Sequence, residues 1–382
     1  MRFIIFLYLW FLQLSSQGQN INIRIYSHIA IEQFQFTAAN GKYDIISNNS
    51  IVYTLSEGES ATITFKRNKI RIEIANNHFL LDTFLLIRGV KQDNFFAISS
   101  QNNQFSQRTY DNDLYVKTGS NGLVLINDVN FDKYIAGVVE AEGGSKAPIE
   151  YYKAQAVLCR TYAARFYEKH IQEGFNLCDG VHCQAYKGRC KQNPTILDAA
   201  IQTSGIIMVD STLKIASATF YANSGGETVN SEDLWSTHHY YLRSKPDPYS
   251  IGAPGYAWTK EIPASEWKSY LIQKGYTVYD SIPFTFTQTQ RKKYYSYNGI
   301  DTLLELKTIR NDFKLRSTFF EINHQGNMLY LQGKGYGHGV GLSQEGAMEM
   351  ARQNFTYDKI ISFYFTGVKL MNMSSVKFFR IE

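Results

Sequence analysis

Two carboxylates ahead of a helix-like run, and one histidine among glycines, are the side chains here best suited to chemistry. Glu140 and Glu142 stand in YIAGVVEAEGG, residues 134–144, followed by KAQAVLCRTYAARF. His338 stands in GKGYGHGVGLSQEGA, residues 333–347. Hydrolysis of a glycoside usually needs two carboxylates across the scissile bond. Glu140 and Glu142 suit that badly, because on a strand they point the same way without an evident division of roles and on a helix they diverge. A single acid suits a different reaction. It protonates a glycosidic oxygen as the bond breaks, then takes a proton from the sugar's own hydroxyl, which closes an intramolecular anhydro ring. The acid must start protonated, which partial burial favours. Glu140 would add negative charge beside Glu142. The plainer readings are a loop or capping carboxylate for Glu142 and a solvated side chain for Glu140.

In the second block Gly333, Gly335, Gly337, Gly339 and Gly341 alternate, so the backbone can approach a ligand or another segment closely. The block lacks the Lys-Ser/Thr ending of a phosphate loop. His338 could hydrogen-bond a sugar, orient the acid, or lock the loop to the protein. Gln344 is a second polar candidate. Ser343 is placed to cap the following helix and Glu345 to favour its first turn, which leaves little for Ser343 as a nucleophile. A third group is the turn Ser224, Gly225, Gly226, Glu227, Thr228, whose N–H groups and hydroxyls could face a glycan or simply connect strands. Trp235 could stack on a sugar face or pack as a lid.

The cysteines are Cys159, Cys178, Cys183 and Cys190. Cys159 reads as a packed helix residue. Cys178, His182, Cys183 and Cys190 could supply the mixed S/N donors that zinc accepts, although their spacing matches no closed zinc motif. An even set in an exported chain also suggests disulfides. Disulfide, zinc and packed thiols all stay open. His170 reads as a helix-end residue, and Gln184 and Tyr186 as structural or cleft-lining.

The elements that must position these groups follow from hydrophobic period. Residues 21–129 read as β, in the alternating runs INIRIYS, KYDIISN, SIVYTL, SATITFK, KIRIEIA, 95–99 and LYVKTGSNGLVLIND, with 99–106 a polar loop. Residues 134–139 read as an apolar run ending that region. Pro148 opens a helix, buried on most sides, that should end near residues 170–174. A short helix is expected over 198–204, a hairpin from IIMVD and KIASATFYA, a helix over 265–275, β over 318–331, and helices over 343–353 and 357–363. The domain plan is 1–18 a leader, 19–125 β-rich, 126–254 a first core part, 255–330 an α+β insertion or subdomain, and 331–382 a second core part. The fold class is α+β.

Arg2, an apolar stretch and then SSQG read as a secretory signal peptide ending near Gly18, too short for a comfortable membrane span. Its loss takes the formal net charge from +5 to +4. A mild, interspersed surplus permits attraction to an anionic wall or membrane surface and gives no footprint for nucleic acid. The 27 Tyr and 25 Phe suit an extracellular β-rich protein or a carbohydrate-facing groove.

On YIAGVVEAE with KAQAVLCRTYA, CDGVHCQAYKG, YANSGGET with a nearby Trp, GHGVGLSQEGA and a closing YFTGV, the chain resembles the SpoIID/LytB family of bacterial cell-wall proteins. The likeness covers most of 134–367 and is weaker across 260–325. It implies a core built from two distant segments and a peptidoglycan lytic transglycosylase. That enzyme would cleave the bond from N-acetylmuramic acid to N-acetylglucosamine and leave 1,6-anhydro ends. The family's catalytic glutamate falls on Glu142, and its GHGxGxSQ block places His338 and Gln344 in the cleft, with Ser224, Gly225, Gly226, Thr228 and Trp235 as further glycan-binding candidates. No cofactor is required, although zinc beside the site is known in some members. The resemblance implies as partners glycan strands, with a preference for those stripped of stem peptides, and a cell-wall amidase. No transmembrane segment is expected in the mature chain, which would act in the periplasm or outside a bacterium. The family glutamate is usually followed by Met and preceded by a Pro/Ala-Ser pair. Here Gly143 and Gly144 follow, which should loosen the acid. The alternative is a non-catalytic glycan-binding protein that enhances an amidase.

Overall fold

A computed structural model describes residues 19–279, 281–297 and 300–375. The leader expected over residues 1–18 lies outside the described residues. The chain is α+β and divides into two compact units. The first ends at Tyr134 and the second runs from Ile135 to the end, with the short piece Arg24–Ile29 counted in it.

The first unit is almost entirely β. One sheet runs in the order β1 (Asn20–Ile25), β12 (Gly122–Asn130), β11 (Asp113–Gly119), β8 (Phe84–Gly89), β3 (Tyr43–Ser47), β4 (Ser50–Leu55). The other runs β10 (Arg108–Asp111), β9 (Phe95–Ser99), β2 (Gln33–Asn40), β5 (Ser60–Lys66), β6 (Lys69–Ile74), β7 (Asn77–Leu81). Alternate residues turn inward, as the period of two demands. Phe36 and Phe96 stack with ring centroids 5.0 Å apart, Tyr43 meets Phe36 edge-on at 5.2 Å, and Tyr110 closes the cluster, all fully buried. The sequence reading leaves out β2, β7, β8 and β10. β2 does alternate, through Phe34, Phe36 and Ala38, whereas β7 and β10 are short with no such pattern.

Residues 134–139 are not the tail of the β region. They lie inside α1 (Phe131–Gly143), whose first turn is capped by the Asn130 side chain accepting the N–H groups of Asp132 and Lys133 at 3.1 and 3.2 Å. Tyr134, Ile135, Ala136, Val138 and Val139 are all buried. A short run that is apolar on every side carries no period to separate helix from strand.

In the second unit, α2 (Ile149–Arg165) follows Pro148 and ends sooner than expected, at Arg165, with a 3₁₀ turn at Ile171–Glu173. Twelve of its residues are buried, among them the Arg160 guanidinium, which donates to the Ala200 carbonyl at 2.8 Å. A short strand, β13 (Leu177–Cys178), and α3 (Pro194–Gln202) follow. The expected hairpin shrinks to β14 (Ile206–Val209) with a single bridge from Val209 to Ile215, and β14 pairs instead with the last strand, Lys369–Asn372. α4 (Ser231–Trp235), α5 (Ala264–Gln273) and α6 (Leu306–Asp312) lie in the middle of the unit. Residues 258–331 close a core of their own, with Trp258, Trp267, Tyr295, Phe320 and Leu331 among its members. α7 (Gln344–Arg352), capped by the Ser343 hydroxyl, and α8 (Tyr357–Tyr364) follow.

The glycine block pairs with the strand leading into the Ser224 turn. Asn223 and Tyr336 exchange backbone hydrogen bonds of 3.0 and 2.8 Å. A Cβ on Gly225 would stand 2.7 Å from the Lys334 carbonyl carbon, and one on Gly335 would stand 2.8 Å from the Asn223 oxygen. Both glycines have positive φ, +70° and +80°. Two chain segments more than a hundred residues apart thus meet backbone to backbone, which only glycine permits here.

Candidate active site

Glu142 sits in the last turn of α1, half-buried. Its Oε1 accepts the Ala185 N–H at 2.9 Å. Its backbone carbonyl accepts the Gln344 side-chain amide at 3.1 Å, a contact spanning 202 positions. The two sequence blocks therefore meet at Glu142 and Gln344. The glycines do not loosen the acid. Gly143 completes the helix, where a Cβ would stand 2.7 Å from the Tyr151 hydroxyl oxygen, and that hydroxyl donates to the Gly143 carbonyl at 3.4 Å. Gly144, at φ +71° with open space around it, ends the helix in the left-handed conformation that glycine adopts without cost.

Behind the acid, burial pushes the Cys159 thiol up to about 12, and the Glu142 charge adds to that. Cys159 is thus a neutral packed side chain, as the sequence suggested. Burial also holds the Tyr151 phenol well above its ordinary value, so it stays a neutral donor.

Glu140 diverges from Glu142, as a helix requires. It accepts the backbone N–H groups of Lys191 and Gln192 at 3.1 and 2.8 Å and the Cys190 thiol at 3.2 Å. It is neither solvated nor a charge held against Glu142. It ties down the far end of the loop whose Ala185 grips Glu142.

The start of that loop carries His170, Cys178, His182 and Cys183, with all four donor atoms within 4.8 Å of one another. Cys190 stands with Glu140 instead, and His170, read from sequence as a helix-end residue, takes the fourth place. All four cysteines are thiols, so the described residues contain no disulfide. The set fits zinc. The Cys183 sulfur lies 3.6 Å from His170 Nε2 and 3.8 Å from His182 Nδ1, and the Cys178 sulfur 3.9 Å from His182 Nδ1. Tetrahedral zinc with ordinary bond lengths sets sulfur and nitrogen about 3.6 Å apart. His170 turns its other nitrogen to Glu173 at 2.5 Å, the outer carboxylate that metal-bound histidines commonly have. Burial pushes the Cys183 thiol up to about 11, so a cation would be needed to hold it as thiolate.

The third group is committed mostly to the fold. Ser224 is fully buried, pairs its hydroxyl with that of Ser250 at 2.5 Å, and takes the Gly226 N–H at 3.1 Å. The Thr228 hydroxyl donates to the Arg243 carbonyl at 2.9 Å and accepts the Lys245 N–H at 3.0 Å. His338 spends both ring nitrogens on backbone: Nε2–H donates to the Phe220 carbonyl and Nδ1 accepts the Val340 N–H, each at 3.1 Å. That fixes one neutral tautomer, and burial, helped by the Arg310 charge, pushes the imidazole down to about 4. Its ring lies between Tyr221 and Trp235, with centroids 5.1 and 5.2 Å away. Trp235 keeps 39% of its surface exposed, enough to offer a face to a ligand.

Sequence reasoning missed the Ala185 N–H and Tyr151 as a brace for Gly143. Tyr151 could have been found from its place on the buried helix. A backbone N–H on a loop leaves no trace in residue type.

A family model described as "SpoIID: Stage II sporulation protein" matches residues 119–209. Stage II sporulation protein D of Bacillus subtilis (strain 168) is 30% identical over 262 residues, which span 64% of this chain and 75% of that protein. Stage II sporulation protein D of Bacillus amyloliquefaciens is 28% identical over 266 residues, 65% and 76% of the two chains. The amidase enhancer of Bacillus subtilis (strain 168) is 26% identical over 292 residues, 62% of this chain and 40% of the enhancer.

Proposed function

The chain belongs to the SpoIID family, and from that premise we propose that it is a peptidoglycan lytic transglycosylase with Glu142 as its acid and base. The observation that carries this reading is a lone carboxyl group with one oxygen held by the Ala185 N–H and its helix end braced by Gln344 and Tyr151. Oε2 is left for the substrate. Protonated there, Glu142 gives its proton to the oxygen joining N-acetylmuramic acid to N-acetylglucosamine. The bond from that oxygen to the muramyl C1 breaks, and the N-acetylglucosamine end leaves with its hydroxyl restored. The carboxylate then takes the proton of the muramyl C6 hydroxyl, whose oxygen bonds to C1 and closes the 1,6-anhydro ring. One group serves twice, so Glu140 is free for its structural task. General acid and base assistance of this kind contributes about 10²- to 10⁴-fold each.

Zinc would be held by His170, Cys178, His182 and Cys183. Bound there, it would cross-link the loop that presents Ala185 and would take no part in bond cleavage. Trp235 would offer an apolar sugar a stacking face. Gly225 and Gly226 shape the neighbouring turn, and Ser224, Thr228 and His338 support it from behind. No described helix is long and apolar enough to cross a membrane. The leader would deliver the chain to the cell envelope, where its substrate lies.

The test is mass spectrometry of soluble products from purified peptidoglycan. Anhydro-ended fragments formed by the native protein and lost with Glu142→Gln are expected. Equal release by the variant would sink the assignment. The kinship to the amidase enhancer supports a second reading, in which the protein binds glycan and accelerates a separate amidase. That reading expects no new glycan ends and full function in Glu142→Gln.

A further inference from the structure

In the second unit a cavity of about 200 Å³ is walled in part by Thr228, Asp233, Arg291, Lys292, Lys307 and His338. Arg291 is its half-buried cation. Its Nε donates to the Glu227 carbonyl at 3.1 Å, its Nη2 donates to the Ser224 carbonyl, and its Cζ lies over the Phe319 ring, 4.9 Å from the centroid. Its Nη1 is buried and donates to nothing. Burial pushes the guanidinium down to about 10, a sign that its charge is poorly compensated. The acid whose field reaches it, Glu227, accepts the Ser244 hydroxyl at 3.0 Å instead. Among the described residues, no carboxylate forms an ion pair with Arg291.

Two backbone carbonyls need donors, and neutral side chains supply those. A buried guanidinium nitrogen left unspent is costly, and structures keep such a group where something else pairs with it. The natural partner of a guanidinium is a carboxylate, which it grips through two parallel N–H bonds. At the wall Lys292, Lys293 and Lys307 stand against Glu227, Asp233 and Glu305, so Arg291 leaves the lining with a net positive charge.

We propose that this cavity binds a carboxylate of the substrate and that Arg291 is a specificity-determining residue for it. The inference rests on the glycan reading above. His338 at the cavity and Gln344 at Glu142 are six residues apart, at most about 20 Å of chain, so an extended strand could reach both. Peptidoglycan offers carboxylates of two kinds. One is the lactyl group of N-acetylmuramic acid, which is free only where the stem peptide has been removed. The other lies on the stem peptide itself. Pairing with the first would make the enzyme select stripped strands by charge.

The test is calorimetric titration of the full chain with N-acetylmuramic acid, its methyl ester, N-acetylglucosamine, the stem fragment L-alanyl-D-glutamate and that fragment's dimethyl ester. At least tenfold tighter binding of one acid than of its own ester is expected, and which acid shows it names the source. Equal affinity within both acid–ester pairs, or no measurable binding of either acid, overturns the proposal. This comparison needs no variant. In Arg291→Gln, with folding checked by circular dichroism, the preference should fall below twofold, and Arg291→Lys should restore part of it. Retention of the full preference in folded Arg291→Gln also overturns the proposal. Cleavage of glycan without acid–ester discrimination would sink this inference and leave the transglycosylase reading standing. Discrimination without cleavage would do the reverse.

Discussion

The two units treat buried polar groups differently. Among the described residues the first buries four, Ser47, Asn94, Asp111 and Asn127, and the second buries sixteen. In the first unit such groups tie strands together: the Asn127 side chain, for example, donates to the Asp111 and Asp113 carbonyls at 2.9 and 3.0 Å. In the second they form chains that join segments far apart in sequence. Asn223 donates to the Glu345 carboxylate, Ser224 pairs with Ser250, and the Tyr364 hydroxyl donates to the buried Asp247 at 3.2 Å. Burying a polar group costs free energy unless it is hydrogen-bonded, so a unit that does so repeatedly is holding particular geometry. The β unit is stabilised mainly by apolar pairing. The second unit holds both the lone acid and the Cys/His cluster.

The sharpest way to break that contrast is Glu142→Gln. It should cut release of anhydro-ended fragments by about 10³-fold or more while both units keep their melting temperatures. A large loss of stability would instead make Glu142 a structural residue.

Next in size is removal of metal. If zinc closes the Cys/His cluster, a chelator or Cys183→Ser should destabilise the second unit by several kcal/mol and leave the first unit's unfolding untouched. Elemental analysis of the purified protein checks occupancy, and an unchanged unfolding profile in a zinc-loaded sample would remove zinc from the structural account.

Glycine replacement separates the units on a smaller scale. Gly225→Ala meets both a positive φ and the Lys334 backbone, and should cost about 2–4 kcal/mol in denaturant titration. Gly58→Ala in the first unit has φ +83° but open space, and should cost about 1–2 kcal/mol. Equal costs would mean that the glycine block does not depend on close approach.

A last effect is one of pH, in the first unit. Asp113 stands directly opposite Asp128 on β11 and β12, and burial, aided by the Asp128 charge, pushes the Asp113 carboxyl up to about 6. The native state therefore holds a proton that the unfolded chain has released, so stability falls as pH rises from about 4 to about 6. The loss is up to about 3 kcal/mol. Asp113→Asn keeps the acceptor for the Gly89 N–H and should flatten that slope in urea titrations at pH 4.5 and 7. An unchanged slope would place the titration elsewhere.

Much of this was legible in the chain. Alternation revealed most strands of the first unit, because one face of each is buried. Pro148, the Ser343 cap and the apolar period of α7 and α8 marked the helices close to where they lie. α1 was hidden because it is apolar all round, and the hairpin after Ile206 because strand propensity there is overruled by pairing with Lys369–Asn372. The meeting of the Glu142 and Gln344 blocks was expected. The membership of His170, in place of Cys190, in the Cys/His cluster was not.

Residue type and local order by themselves determined the α+β class, a candidate acid just ahead of a buried helix, and the freedom of the glycine-rich 333–341 block to approach another segment closely. Each of these depends on neighbours in sequence or on a property of one side chain. Only the tertiary structure decided that Ala185 holds Glu142, that Glu140 is spent on the Cys190 loop, that His338 faces backbone with both nitrogens, and that Arg291 buries one guanidinium nitrogen without a partner. Apart from the Val340 bond within the His338 loop, those outcomes are set by hydrogen bonds and desolvation between segments dozens to hundreds of residues apart. The energies of such contacts depend on distances that no local pattern encodes.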